Sequence, residues 1–228
     1  MENFPGNRTL DILSRAEREG YGVLAQEILN ISNSYDAGMA IAFVRAAERC
    51  RSPAILMLFP ITLASGKGPF LRFCLDLAHQ ASVPIAVHLD HATNPEHIEL
   101  AFSLAEQGIA FDTIMVDASH AETDEENIDL ACPYVERARK LGMPVEVELG
   151  RLEGGEAGLR VISDAKLTDP GKAEAFMKGW ARDPYAKTLG ESLLTNSFPE
   201  AQEAATEAFA NVCERFFTLF GSAGKADA

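Results

Sequence analysis

Short apolar runs alternate with longer amphipathic stretches from Tyr21 to about Met177, and the joints between them are short. The runs are Tyr21 to Gln26, Ala54 to Phe59, Val83 to His91, Thr113 to Asp117 and Pro144 to Gly150. Most are rich in Val, Ile, Leu or Met and too short for a stable helix, so each predicts a strand of a covered sheet. Between them the apolar positions recur at helical spacing, as in Tyr35 to Cys50, Phe70 to Ala81, Pro95 to Gln107 and Glu125 to Leu141. A loop holding Gly66 and Gly68 is expected after the second strand, and the first strand is expected to end near Asn30 and Asn33.

Capping residues set the boundaries. Thr9 to Glu19 predicts a helix with Thr9 as its cap and Gly20 as its stop, covering the bottom of the domain. Asn94 or Thr93 suits the start of the helix that opens at Pro95, while Gly108 and Gly142 stand just past helix ends. Thr168-Asp169-Pro170 predicts one more helix, to about Met177, and after Trp180 two helical stretches remain, Pro184 to Leu194 and Pro199 to Phe220.

Strands alternating with helices over short joints argue parallel βαβ units and right-handed crossovers. The prediction is an α/β fold of five parallel strands plus C-terminal helices. A closed (β/α)8 barrel needs eight strands. Each further βαβ unit takes roughly 30 residues or more, so the stretch after Trp180 cannot supply three. The periodic part is therefore an incomplete TIM-type barrel. Residues 1–228 are read as a single domain, with five βα units in 1–180 and a helical segment in 181–228. Open barrel edges leave backbone groups unpaired and invite association, so a homo-oligomer is expected.

Composition narrows the partners. The 228 residues, 47% hydrophobic and 24% charged, can bury a sizeable core. A formal net charge of -14 leaves no cationic footprint for a phosphate backbone, so neither nucleic acid nor an anionic membrane is expected as a partner. The N-terminus lacks the apolar core of a signal peptide, and no apolar stretch approaches the roughly 20 residues of a membrane span. Cys50, Cys74, Cys132 and Cys213 are far apart, without a CxxC pair, and read as reduced, buried thiols of a cytoplasmic protein.

The chemistry gathers at the strand tips, where parallel α/β sheets keep their sites. The third run ends in Asp90 and His91, the fourth in Asp117 with His120 beyond it, and the fifth carries Glu148. Carboxylates and an imidazole at adjacent tips suit a divalent cation such as zinc, which polarises a carbonyl while a neighbouring acid moves a proton. The plainer reading of Asp90 is a capping or solvated strand-end acid, and that of Asp117 and Glu148 a hydrated acidic cluster. His88 reads as a packed imidazole, His120 as a loop hydrogen-bonder, and His79 and His97 as surface residues. The Gly154-Gly155 loop fits an anion cradle, a lid or a plain turn, and Gly221 to Lys225 a frayed tail.

Several strings occur together in one order: His88-Leu89-Asp90-His91, Val116-Asp117-Ala118-Ser119-His120, Glu125-Glu126-Asn127-Ile128, Val145-Glu146-Val147-Glu148-Leu149-Gly150, Thr168-Asp169-Pro170 and the terminal Leu219-Phe220-Gly221-Ser222-Ala223-Gly224-Lys225-Ala226. In these the chain resembles the class II, zinc-dependent fructose-bisphosphate and ketose-bisphosphate aldolases, over about Gly20 to Met177 and again from about Tyr185. The resemblance implies a (β/α)8 barrel that reversibly cleaves a ketose bisphosphate of the fructose 1,6-bisphosphate type into dihydroxyacetone phosphate and an aldehyde. It implies Asp90 as the proton donor and acceptor, His91 as a zinc ligand, and Asp117 and Glu148 as acids at a second or alternative metal position. The family also supplies two further zinc histidines and phosphate loops from later strands. This chain has five histidines, none beyond His120, and an altered first-strand motif, Gln26-Glu27-Ile28-Leu29-Asn30. A second reading follows from those departures, a catalytically inactive aldolase-like fragment or binding module.

Overall fold

A computed structural model describes residues 4–28, 36–150, 210–211 and 213–227. The order is α1 (Arg8–Glu19), β1 (Leu24–Glu27), α2 (Ala37–Arg49), β2 (Ala54–Leu58), α3 (Pro60–His79), β3 (Ile85–Ala92), α4 (Pro95–Glu106), β4 (Thr113–Val116), α5 (Asp124–Lys140) and β5 (Val145–Val147). The strands form one sheet in the order β1-β2-β3-β4-β5, every neighbouring pair parallel. Sequential strands lying side by side, each returned by a helix, are the first five units of a (β/α)8 barrel.

Alternation along β2 explains the layering. Ala54, Leu56 and Leu58 join the large core with α2 to α5, whereas Ile55 and Met57 join Ala25, Ala86 and Ile12 of α1 in a smaller cluster on the opposite face. That second face is the inner wall of the barrel, and α1 covers its lower part. Thr9 is not the cap of α1. Asn7 is, accepting the Leu10 N–H, while Thr9 lies buried one turn in with its hydroxyl 3.2 Å from that of Thr113 on β4. Asp36, Asn94 and Thr123 cap α2, α4 and α5 in the same manner, and Gly20, Gly108 and Gly142 follow helices at positive φ.

No open glycine loop follows β2. Pro60 starts α3 at once, and Gly66 and Gly68 lie within it, flanking a break at Lys67 with φ 48° and ψ -151°. Pro69 cannot donate a helical hydrogen bond, and a Cβ on Gly66 would lie 2.5 Å from the Phe70 Cβ, so the chain kinks there.

The C-terminal residues are tied down rather than frayed. Residues 210–211 and 213–219 are helical, with Phe217 buried against Phe43 of α2 at 5.9 Å between ring centroids. Beyond them the Gly22 N–H donates to Phe220 O, Gly224 and Ala226 N–H groups donate to Cys50 and Arg51 carbonyls, and Ser52 donates to Ser222 at 2.7 Å. Arg51 pairs with Asp227 and Lys225 with Glu19.

All four cysteines are free. Cys74 and Cys213 are buried, but Cys50, at the C-terminal cap of α2, and Cys132, on α5, are only partly so. Among the described residues no helix is long and apolar enough to cross a membrane. The Asn30 and Asn33 strand end, the Gly154-Gly155 loop, the Thr168 helix, the 184–194 stretch and most of the 199–220 stretch lie outside the described residues.

Candidate active site

A bulge at the end of β3 builds the site. Leu89 pairs with Ile114 and Ala92 with Val116, so two residues, Asp90 and His91, stand opposite the single residue Met115. The extra residue is His91, at φ 42°, and its backbone N–H points at the Met115 sulfur, 3.4 Å away. Strict alternation would send neighbours to opposite faces of the sheet; the bulge re-aims one of them. His91 Nδ1 thereby comes within 3.0 Å of Asp117 Oδ2, just past β4, and 3.3 Å of Glu148 Oε2, just past β5. One donor atom from each of these three residues lies within 4.8 Å of the others.

Neighbouring groups hold the three in place. Burial works to raise the Asp117 pKa, but hydrogen bonds from His91 and from the side chain and N–H of Ser119 outweigh it and keep the carboxylate below its usual range. Buried Asn127 on α5 reaches across to donate to the Glu148 carbonyl at 2.8 Å. Phe59, at the tip of β2, lies beside the His91 ring with centroids 6.3 Å apart.

Asp90 is not one of the three. Its carboxylate faces His88, with Oδ1 3.9 Å from His88 Nε2, and Glu146 Oε2 lies 3.4 Å from the same nitrogen. The other ring nitrogen of His88 is 2.7 Å from the Thr113 hydroxyl. Burial pushes the His88 pKa down to about 3, aided by the charge of His91, so its imidazole is neutral. Burial also pushes Glu146 up to about 8, reinforced by the charges of Asp90, Glu148 and Asp117. Four carboxyl groups facing two imidazoles make a site with surplus negative charge.

The three-residue group fits a small divalent cation. One imidazole nitrogen and two carboxylate oxygens are ligand types zinc accepts, and three protein ligands leave a position open. The two separations from His91 Nδ1, 3.0 and 3.3 Å, come close to the roughly 3.3 Å edge between ligand atoms each about 2.0–2.1 Å from a tetrahedral ion, while the three donor atoms together lie within 4.8 Å of one another.

The structure thus brings Asp90, His91, Asp117 and Glu148 to one end of the sheet, as their places at strand tips predict. It leaves His120 exposed beyond β4, and His79 pairs with Asp112 at 2.8 Å at the opposite end of the strands. Glu146 was missed by the sequence reading, although the alternation Glu146-Val147-Glu148 places both acids on one side of β5. Asn127 stands in the sequence only as part of the string Glu125-Glu126-Asn127-Ile128, and nothing in its own neighbourhood reveals that it reaches Glu148.

Comparison with known proteins bears on this arrangement. Residues 7–196 match the family model described as Fructose-bisphosphate aldolase class-II. A fructose-bisphosphate aldolase of Thermus caldophilus is 38% identical over 184 residues, which take in 80% of this chain and 56% of that protein. The D-tagatose-1,6-bisphosphate aldolase subunit GatY of Klebsiella oxytoca is 35% identical over 182 residues, 79% of this chain and 60% of its own. The solved structure of a Coccidioides immitis protein assigned as a fructose-1,6-bisphosphate aldolase aligns with a TM-score of 0.81 at 26% identity, over 97% of this chain and 99% of that one. In sequence alignment, by contrast, the chain spans little more than half the length of the curated relatives it matches.

Proposed function

Since the chain belongs to the class II fructose-bisphosphate aldolase family, we propose that it catalyses the reversible aldol cleavage of a ketose bisphosphate of the fructose 1,6-bisphosphate type, giving dihydroxyacetone phosphate and an aldehyde. The observation that carries this reading is the grouping of His91, Asp117 and Glu148 around one small space, with Asp90 on the same strand tip. His91, Asp117 and Glu148 would hold the metal, with zinc as the family's ion. When bound, such a cation polarises the substrate's carbonyl and hydroxyl oxygens and stabilises negative charge on them.

Asp90 takes the proton from the substrate hydroxyl next to the bond that breaks. The electron pair of that carbon–carbon bond passes toward the ketone half, the aldehyde half leaves, and a proton returned to the new carbanionic carbon completes the balance. Asp117, held ionised by its hydrogen bonds from Ser119, keeps an oxygen available as a ligand when the His91 nitrogen serves the ion instead of donating to it. The bulge makes the division of labour possible, because it lets adjacent residues serve proton transfer and ligation together. We further propose that residues 1–228 act as one domain and assemble as a homo-oligomer in the cytoplasm, where the four thiols stay reduced.

The test is a coupled assay on fructose 1,6-bisphosphate and tagatose 1,6-bisphosphate, run on protein as purified, after chelation and after zinc is restored. Zinc-dependent cleavage of either sugar supports the reading. Sugar bisphosphate binding without cleavage, at any metal loading, would replace it with a non-catalytic binding module.

A further inference from the structure

His88 is buried on the inner wall, 5% exposed, and both of its nitrogens are directed. Nδ1 is tethered to the Thr113 hydroxyl at 2.7 Å, and that hydroxyl lies 3.2 Å from Thr9 of α1, which is itself 4% exposed. The ring therefore hangs from a two-hydroxyl chain that begins on the helix covering the base of the barrel. Its far nitrogen, Nε2, has no partner in hydrogen-bonding geometry, yet it faces Glu146 Oε2 at 3.4 Å and Asp90 Oδ1 at 3.9 Å. A buried imidazole nitrogen left just short of two carboxyl groups costs free energy unless something makes use of it. Hydrogen bonds that are long in a free enzyme commonly tighten when substrate fills the site.

We propose that His88 is a positioning residue. Fixed through Thr113 and Thr9, it presents Nε2 to Asp90 and orients that carboxylate toward the substrate hydroxyl. The inference rests on the aldolase reading for what Asp90 does, but not for the contact itself. His88 is not one of the three metal-ligand residues, so its loss leaves metal binding in place.

Three measurements on the full chain test this. In the metal-free protein, imidazole nitrogen NMR compares the wild type with Asp90→Asn; the His88 Nε2 resonance is expected to move while Nδ1 stays put. In the zinc-loaded protein, His88→Leu is expected to lower kcat on fructose 1,6-bisphosphate by about 10- to 100-fold with KM within about threefold, and His88→Gln to restore part of the loss. Cobalt titration is expected to give the same affinity for wild type and His88→Leu. Should His88→Leu fail to fold, Thr113→Val, which frees the ring at its other end, is expected to lower kcat in the same selective way. The inference is overturned if Nε2 ignores Asp90→Asn, if kcat falls less than about twofold, or if kcat and cobalt affinity fall together. A wild-type protein without turnover sinks the aldolase reading instead, and the NMR comparison then decides the His88 contact alone.

Discussion

At the scale of single residues, neighbouring acids and imidazoles divide the work by environment. Asp90 is proposed to move the proton, so Asp90→Asn should cut turnover by roughly 10²- to 10⁴-fold and leave zinc affinity nearly unchanged, as kinetic and calorimetric measurements on the same preparation would show. Asn127 is not one of the three grouped residues, yet its side chain donates to the Glu148 backbone carbonyl. Asn127→Leu should therefore weaken zinc binding by about 10- to 100-fold. His88 and Glu146 give the metal-free protein a defined pH profile. Burial holds the folded His88 pKa at about 3, below the 6.5 of a free imidazole, so the unfolded chain binds the extra proton and stability falls as pH drops from 6.5 toward 3. Burial holds the folded Glu146 pKa at about 8, above the 4.5 of a free carboxyl group, so the folded chain holds the extra proton and stability falls as pH rises from 4.5 toward 8. The two slopes cancel between about 4.5 and 6.5. In urea unfolding of chelated protein these two groups should give a plateau there, with a loss above it approaching ~1.4 kcal/mol per pH unit and a loss below it that Asp117, also held ionised in the folded chain, steepens. A profile still climbing at pH 8 would contradict the assignment.

At the scale of elements, much of the architecture was legible because it rests on local chemistry. Caps and left-handed glycines ended α4 and α5 close to where the sequence placed them, and the runs through Ala54, Val83 and Thr113 held strands β2, β3 and β4. The start of α1 was misplaced because both Asn7 and Thr9 can cap, and tertiary packing drew Thr9 inward to Thr113. The extension of α3 back to Pro60 was missed because Gly66, Lys67 and Gly68 read as a loop, whereas they make a kink inside a longer helical stretch. The β3 bulge has no signature in the string Leu89-Asp90-His91-Ala92; it exists through pairing with β4, a non-local fact. Two predictions belong here. Thr123→Ala should cost about 1 kcal/mol by removing the α5 cap, measured by denaturant unfolding. Phe217→Ala should cost ~3–5 kcal/mol and raise proteolysis of the C-terminal helix, since Phe217 anchors it on α2.

At the scale of the whole molecule, the sheet explains why the site is where it is. Parallel strands place all their C-terminal tips at one end, so Asp90, His91, Asp117 and Glu148 could be grouped from sequence order alone, whereas distances among them depend on sheet curvature and the bulge. Among the described residues, β1 and β5 each have a strand neighbour on one side only. Size-exclusion chromatography with light scattering should therefore find a dimer or larger assembly, and a clean monomer would contradict the proposed homo-oligomer. The most direct test of the account is calorimetric zinc titration of the chelated full chain, beside His91→Ala and Glu148→Gln, with X-ray absorption of the loaded wild type. One zinc per chain, a nitrogen- and oxygen-only coordination shell, and at least tenfold weaker binding in each variant are expected. Zinc binding that is absent, or that survives both substitutions undiminished, would contradict it.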